Sequence, residues 1–122
     1  MSDSTSNTQA THIDPAELVQ TLNELLEAER AGARVTRETA QQIPATQDLH
    51  GLVVDIQHDE VKWCGMLMKV IRSLQATPTD VTGAFHGKAM AIADLTERLV
   101  FLNRGQAWVV RRLQALIPRV HD

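Results

Sequence analysis

The sequence has no tyrosine and only two tryptophans and two phenylalanines. With so few large side chains, an interior must be built mainly from Leu, Ile, Val and Ala. There is a single cysteine. That excludes a disulfide within the chain and suits a reducing, cytoplasmic setting. No apolar run approaches the roughly 20 residues that would cross a bilayer, and the N-terminus lacks the basic and apolar regions of a signal peptide. Lysine is scarce, three against nine arginines, and the formal net charge is −3. The acidic balance argues against nucleic acid as a partner, and a membrane partner is not expected either. The excess of arginine favours pairing with carboxylates. At 122 residues with 43% hydrophobic positions, the chain suffices for one domain with a sizeable core.

Residues 1–12 are rich in Ser, Thr, Asn and Gln without apolar periodicity and read as a disordered tail. The domain then occupies residues 13–122. Asp14 can cap a helix, Pro15 fits its first position, and Glu17 completes a capping box. Ile13 and Leu18 stand where a hydrophobic staple would close. From there Leu18, Leu22, Leu25, Leu26, Glu29, Ala33, Thr36, Ala40 and Ile43 share one helical face. The spacing predicts a helix over residues 15–42, ended by Pro44.

A second helix is predicted over residues 46–75, with Leu49, Val53, Ile56, Glu60, Trp63, Leu67, Ile71 and Leu74 inward. A short helix over 84–93, capped by Thr82, follows a breaker segment around Pro78. Asp94 and Glu97 open a third long helix over 95–117, whose inner line is Leu95, Leu99, Leu102, Gln106, Val109, Leu113 and Ile117. No strand pattern competes. The expected fold is all-α: an antiparallel helical bundle of three long helices and one short one.

The informative residues are the polar ones that interrupt the apolar lines. Glu29, Glu60 and Gln106 fall near the middle of the three long helices. A buried ionised carboxylate needs a metal, a cationic partner, hydrogen-bond donors or a proton. Two on neighbouring helices could share one partner, as in di-iron carboxylate bundles. Without a metal, Arg30 and Arg98 are placed to pair with them, and Asn103 and Gln106 to hydrogen-bond them. Asp55 and His58 have carboxylate–imidazole spacing but lie on the opposite, solvent-facing side of their helix. Trp63 reads as a core residue, and Cys64 as a buried, inert thiol.

The run Leu22-Asn23-Glu24-Leu25-Leu26-Glu27-Ala28-Glu29 resembles the first helix of bacterioferritin-type proteins, in which such a run ends in a metal-binding Glu. The resemblance implies a ferritin-like fold with Glu29 as a ligand, Glu60 at the Glu of the second helix's Glu-x-x-His, and Trp63 where that histidine would stand. On the last helix the corresponding inward pair is Asn103-x-x-Gln106. Two carboxylates are thus present without either imidazole. The segments Asp59-Glu60-Val61-Lys62-Trp63-Cys64 and Phe101-Leu102-Asn103-Arg104-Gly105-Gln106-Ala107-Trp108 further resemble a family of bacterial proteins described as ferritin-like, over about residues 14–120.

Two functions remain open on these residues. One is a degenerate, non-enzymatic ferritin-like module for interaction or assembly. The other is a small iron- or manganese-dependent oxidoreductase or iron-handling protein, with Glu29 and Glu60 as ligands and Gln106 as a weak third. Lack of inward histidine and of tyrosine counts against the second. Phe101, Arg104, Trp108 and Arg111 form an outer stripe on the last helix that would suit an interface between two copies in a homodimer, unless the short helix covers it.

Overall fold

The computed structural model describes residues 13–119. The polar tail predicted for 1–12 and the last three positions of the predicted domain lie outside the described residues. Within them the chain is all-helical and no strand forms. The elements are α1 (Pro15–Ala40), α2 (Asp48–Ser73), α3 (Phe85–Met90) and α4 (Leu95–Leu116), followed by one 3₁₀ turn (Ile117–Arg119).

Local chemistry sets most of these ends. Asp14 Oδ1 accepts from the Ala16 amide at 3.3 Å, and Pro15 occupies the first turn of α1. Asp94 Oδ2 accepts from the Glu97 amide at 2.9 Å and opens α4 in the same way. The predicted Thr82 cap does not form: α3 starts after Ala84 without any side-chain cap. Glu17 pairs with Arg119 at 3.2 Å, which ties the two ends of the described chain together. α2 closes with Gln75 at φ 60°. The Ala76 amide donates to Ile71 O and the Gln75 amide to Arg72 O, the two bonds of a Schellman motif, here built without the usual glycine.

Three apolar clusters fix the helix directions. Leu22 and Leu26 pack with Cys64, Ile71 and Leu116. Val35 packs with Leu102 and Ala89. Ala40 and Ile43 pack with Val53, with Leu95 beside them. Hence α2 and α4 both run antiparallel to α1 and parallel to each other. The chain between them returns along the bundle through α3. Arg30 holds that return in place by donating to Thr79 O at 2.7 Å and Val81 O at 3.0 Å, and Asn23 Oδ1 accepts from the Thr79 amide at 2.7 Å. His86 of α3 bonds Glu38 of α1 at 2.8 Å. That bond, ahead of Arg34, lowers the Glu38 pKa.

α1 touches both other long helices, whereas α2 and α4 make no backbone contact among the described residues. The arrangement is a square with three corners filled. The vacant corner explains the largest departure from the predicted inner lines. Trp63 was expected in the core, yet it is 47% exposed, and Leu74 is 42% exposed. Both lie on the flank of α2 that turns toward the vacancy. Glu60, Cys64 and Ile71 take the side that meets α1 and are buried. On α1 the buried face likewise takes in Gly32, Val35 and Thr39.

Candidate functional site

Glu29, Glu60 and Gln106 come together at mid-height, between the lower and upper apolar clusters. Both carboxylates are buried, at 7% and 3% exposure, and Gln106 is half-buried. Gly32 makes room for one of them: a Cβ at that position would overlap the Glu60 carboxylate. Helix interiors disfavour glycine by about 1 kcal/mol relative to alanine. Here the missing methyl is what lets the Glu60 carboxylate lie against α1. At Gly105 a Cβ would stand 2.7 Å from the Phe85 ring, so that glycine admits α3 onto α4. Gly51 and Gly65 face open space.

Neither carboxylate has a cationic partner among the described residues. The two arginines expected to serve are engaged elsewhere. Arg30 holds the returning loop, as described above. Arg98 is 3% exposed and donates to Ile92 O at 2.9 Å, Thr39 Oγ1 at 3.1 Å and Gln42 Oε1 at 2.7 Å, at the far end of the bundle. The ion pairs of the described residues use Glu17, Glu24 and Glu38. Asn103, expected to bond the pair, is exposed, because it lies about 60° around α4 from Gln106.

The electrostatic consequence is large. Desolvation raises the Glu29 pKa from 4.5 to about 7. For Glu60, desolvation together with repulsion from Glu29 raises it to about 8, while contacts from Gln106 and Thr36 hold the rise back. The Thr36 hydroxyl is aimed at the carbonyls of Gly32 and Ala33, at 2.9 and 3.0 Å, and Glu60 Oε1 has no hydrogen-bond partner. At neutral pH the pair therefore holds on to at least part of a shared proton. Burial also pushes the Cys64 thiol up to about 11, so the thiol is protonated and unreactive.

Two cavities border the pair. One, of about 430 Å³, lies between α1, α3 and α4 and is lined by Phe85, Leu102, Val109 and Ala28 along with both carboxylates and Gln106. Glu24, Glu27 and Trp108 also line it. The other, of about 250 Å³, lies in the vacant corner and is lined by Trp63, Leu67, Val110 and Leu113 with the same three polar residues.

The outer stripe of α4 does not stay a single surface. Phe101 is half-buried and stacks on Phe85 of α3, with ring centroids 4.9 Å apart and planes 7° apart. Trp108 is 39% exposed and lies under the Arg112 guanidinium, 5.6 Å from the ring centroid. Arg104 and Arg111 remain exposed. Asp55 and His58 are exposed as expected. Arg98 was expected beside the carboxylates and is buried instead against Thr39, Gln42 and Ile92. Of the two readings of the stripe, cover by the short helix holds at Phe101, where Phe85 stacks on it.

Residues 16–122 match the family model described as Domain of unknown function (DUF6306). The chain belongs to this family. No curated protein and no solved structure matches it. As a DUF6306 member it brings the family a specific geometry: two uncompensated acids at the centre of a bundle with one open corner. No helix among the described residues is long and apolar enough to cross a membrane.

Proposed function

We propose that this DUF6306 chain is a ferritin-like, non-enzymatic assembly module of the cytoplasm that forms a homodimer by filling its vacant corner with a second copy. The ferritin-like assignment is supported by the helix order, in which one long return connection makes α2 and α4 parallel. A single buried thiol suits a reducing compartment.

The observation that carries the assembly reading is the apolar flank of α2. Leu52, Trp63, Met66 and Val70 are all between 45% and 56% exposed. With Ile56 and Asp59 they recur at alternating steps of four and three residues, the seam of a helix that packs lengthwise against another. From Leu52 to Val70 the seam is roughly 27 Å long. The pattern is also self-complementary. If two copies of α2 pair antiparallel about Trp63, Leu52 falls opposite Leu74 and Ile56 opposite Val70. Asp55 and Asp59 on the first half then approach Lys69 on the second half of the other copy. Opposed charges of this kind fix register and direction.

Sedimentation tests it. The full chain is expected at twice its 13.5 kDa mass, and Trp63→Glu is expected to halve it. Trp108→Glu, on the outer stripe of α4, should leave the dimer intact. A wild-type monomer at high micromolar concentration would contradict the proposal.

Iron or manganese is the alternative occupant of the central pair. Glu29, Glu60 and Gln106 would be the ligands, but this donor set fits a transition-metal site poorly. No group of three or more His, Cys, Asp or Glu side chains converges among the described residues. The position one turn beyond Glu60 is the exposed Trp63, and carboxylate-rich iron sites ordinarily add imidazole. Anaerobic loading with ferrous iron should leave well under one equivalent bound. Near-stoichiometric iron that is lost in Glu29→Ala would reverse this reading.

A further inference from the structure

We propose that the 430 Å³ cavity between α1, α3 and α4 is a binding site for a small protonated amine carrying an apolar body. The cavity shares Glu29, Glu60 and Gln106 with the vacant corner but has its own walls on α1, α3 and α4, and the inference does not rest on the chain dimerising.

The walls and the floor of this cavity ask for different parts of one ligand. The walls are Phe85, Leu102, Val109 and Ala28, which offer nothing but hydrocarbon. The volume falls within the range of small-molecule sites, where apolar walls and a few convergent polar groups are the rule. The floor is Glu29, Glu60 and Gln106. Glu60 is 97% buried by its 3% exposure, and its Oε1 has no partner among the described residues. A buried acceptor left in that state is costly and calls for a donor from outside the chain. Glu29 next to it has no cation either.

The donor's chemistry follows from what borders the site. Every charged side chain lining the cavity is a carboxylate: Glu24, Glu27, Glu29 and Glu60. Arg112 pairs with Glu24 from outside the lining, which leaves Glu27, Glu29 and Glu60 without a cation among the described residues, a field that disfavours an anion and attracts a cation. A bare divalent ion would gain nothing from the hydrocarbon walls and would find only two carboxylates and one amide. An alkylammonium group offers three N–H donors. Three acceptors stand ready: the Glu60 carboxylate, the Glu29 carboxylate and the Gln106 carbonyl. The hydrocarbon remainder of such a ligand fills the apolar space, and the Phe85 ring is held in place by its stack on Phe101.

Paired probes of one shape separate charge recognition from simple filling of a greasy hole. Isothermal titration calorimetry of the full chain with 2-phenylethylamine and with 2-phenylethanol is expected to give binding of the amine about tenfold or more tighter, the worth of one charge-assisted hydrogen bond. Glu60→Gln keeps the shape and removes the charge, and should weaken the amine by about the same factor while leaving the alcohol unchanged. Ala84→Phe, placed in the cavity wall on an exposed residue, should weaken both. Equal affinities for amine and alcohol would overturn the proposal, as would undiminished amine binding in Glu60→Gln. It would also fail if manganous chloride alone bound at Glu60 and the amine did not.

Discussion

Two places in this bundle bury charge, and they are built on opposite plans. Arg98 sits among three acceptors from two segments, the Thr39 hydroxyl, the Gln42 amide and the Ile92 carbonyl. Its polar capacity is largely used within the chain, and it joins α4 to the end of α1. Glu29 and Glu60 sit at mid-height, facing each other, with no cation and with one oxygen unpartnered among the described residues. The first is a structural clasp. The second keeps its hydrogen-bonding capacity in reserve and lies beside open volume. A buried ionisable group is thus informative only once its partners are counted: satisfaction points to architecture, and deficit points to a ligand or a proton.

The contrast can be broken most forcefully at the clasp. Arg98→Ala strands the acceptors of three hydrogen bonds and empties a buried volume. It should lower unfolding stability by about 4 kcal/mol, measured by urea denaturation. A loss below about 1 kcal/mol would mean that the clasp is not structural.

The next largest effect is on pH. Both glutamates have native pKa values raised above 4.5, to about 7 and about 8. The folded chain therefore binds more protons than the unfolded chain between pH 4.5 and about 8. Their stabilising contribution is complete below pH 4.5 and is lost as pH rises through the native values. Stability should fall by roughly 3 kcal/mol between pH 6.5 and pH 9, and Arg98→Ala should leave that slope in place.

Glu60→Gln sharpens the comparison further. It removes the more strongly perturbed acid, so it should stabilise the chain by about 1–2 kcal/mol at pH 6 and flatten the pH profile. The smallest effect is expected from Gln42→Ala. It removes one of the three acceptors of Arg98 and should cost about 1 kcal/mol, with no influence on the glutamate titration.

Much of this was legible in the residue pattern, and the exceptions have physical causes. The 3.6-residue periodicity located the three long helices and put Glu29, Glu60 and Gln106 on inward faces, because a polar residue on an otherwise apolar line is conspicuous. The same periodicity treats each helix as if surrounded by neighbours. It therefore placed Trp63 and Leu74 inside, although the flank they occupy faces a corner with no helix in it. Arg98 was expected to pair with the two carboxylates, because its true partners, Thr39 and Gln42, meet it from more than 50 residues away in sequence, where no local pattern reveals them. Cover of Phe101 by the short helix was one of two readings of the stripe, but nothing in the sequence marked Phe85 as the ring that stacks on it. α3 has six residues, too few for a periodicity, and only the packing of the long return connection decides where it rests.

Everything distinctive in this account rests on the two acids being buried without a counter-charge. The direct measurement is a ¹³C NMR titration of the glutamate side-chain carboxyls, with Glu29→Gln and Glu60→Gln spectra for assignment. The expected result is two coupled transitions near the values of about 7 and about 8 that burial and mutual repulsion impose. Both carboxyls titrating near the ordinary 4.5 would contradict it, since each acid would then have solvent or a partner cation at hand.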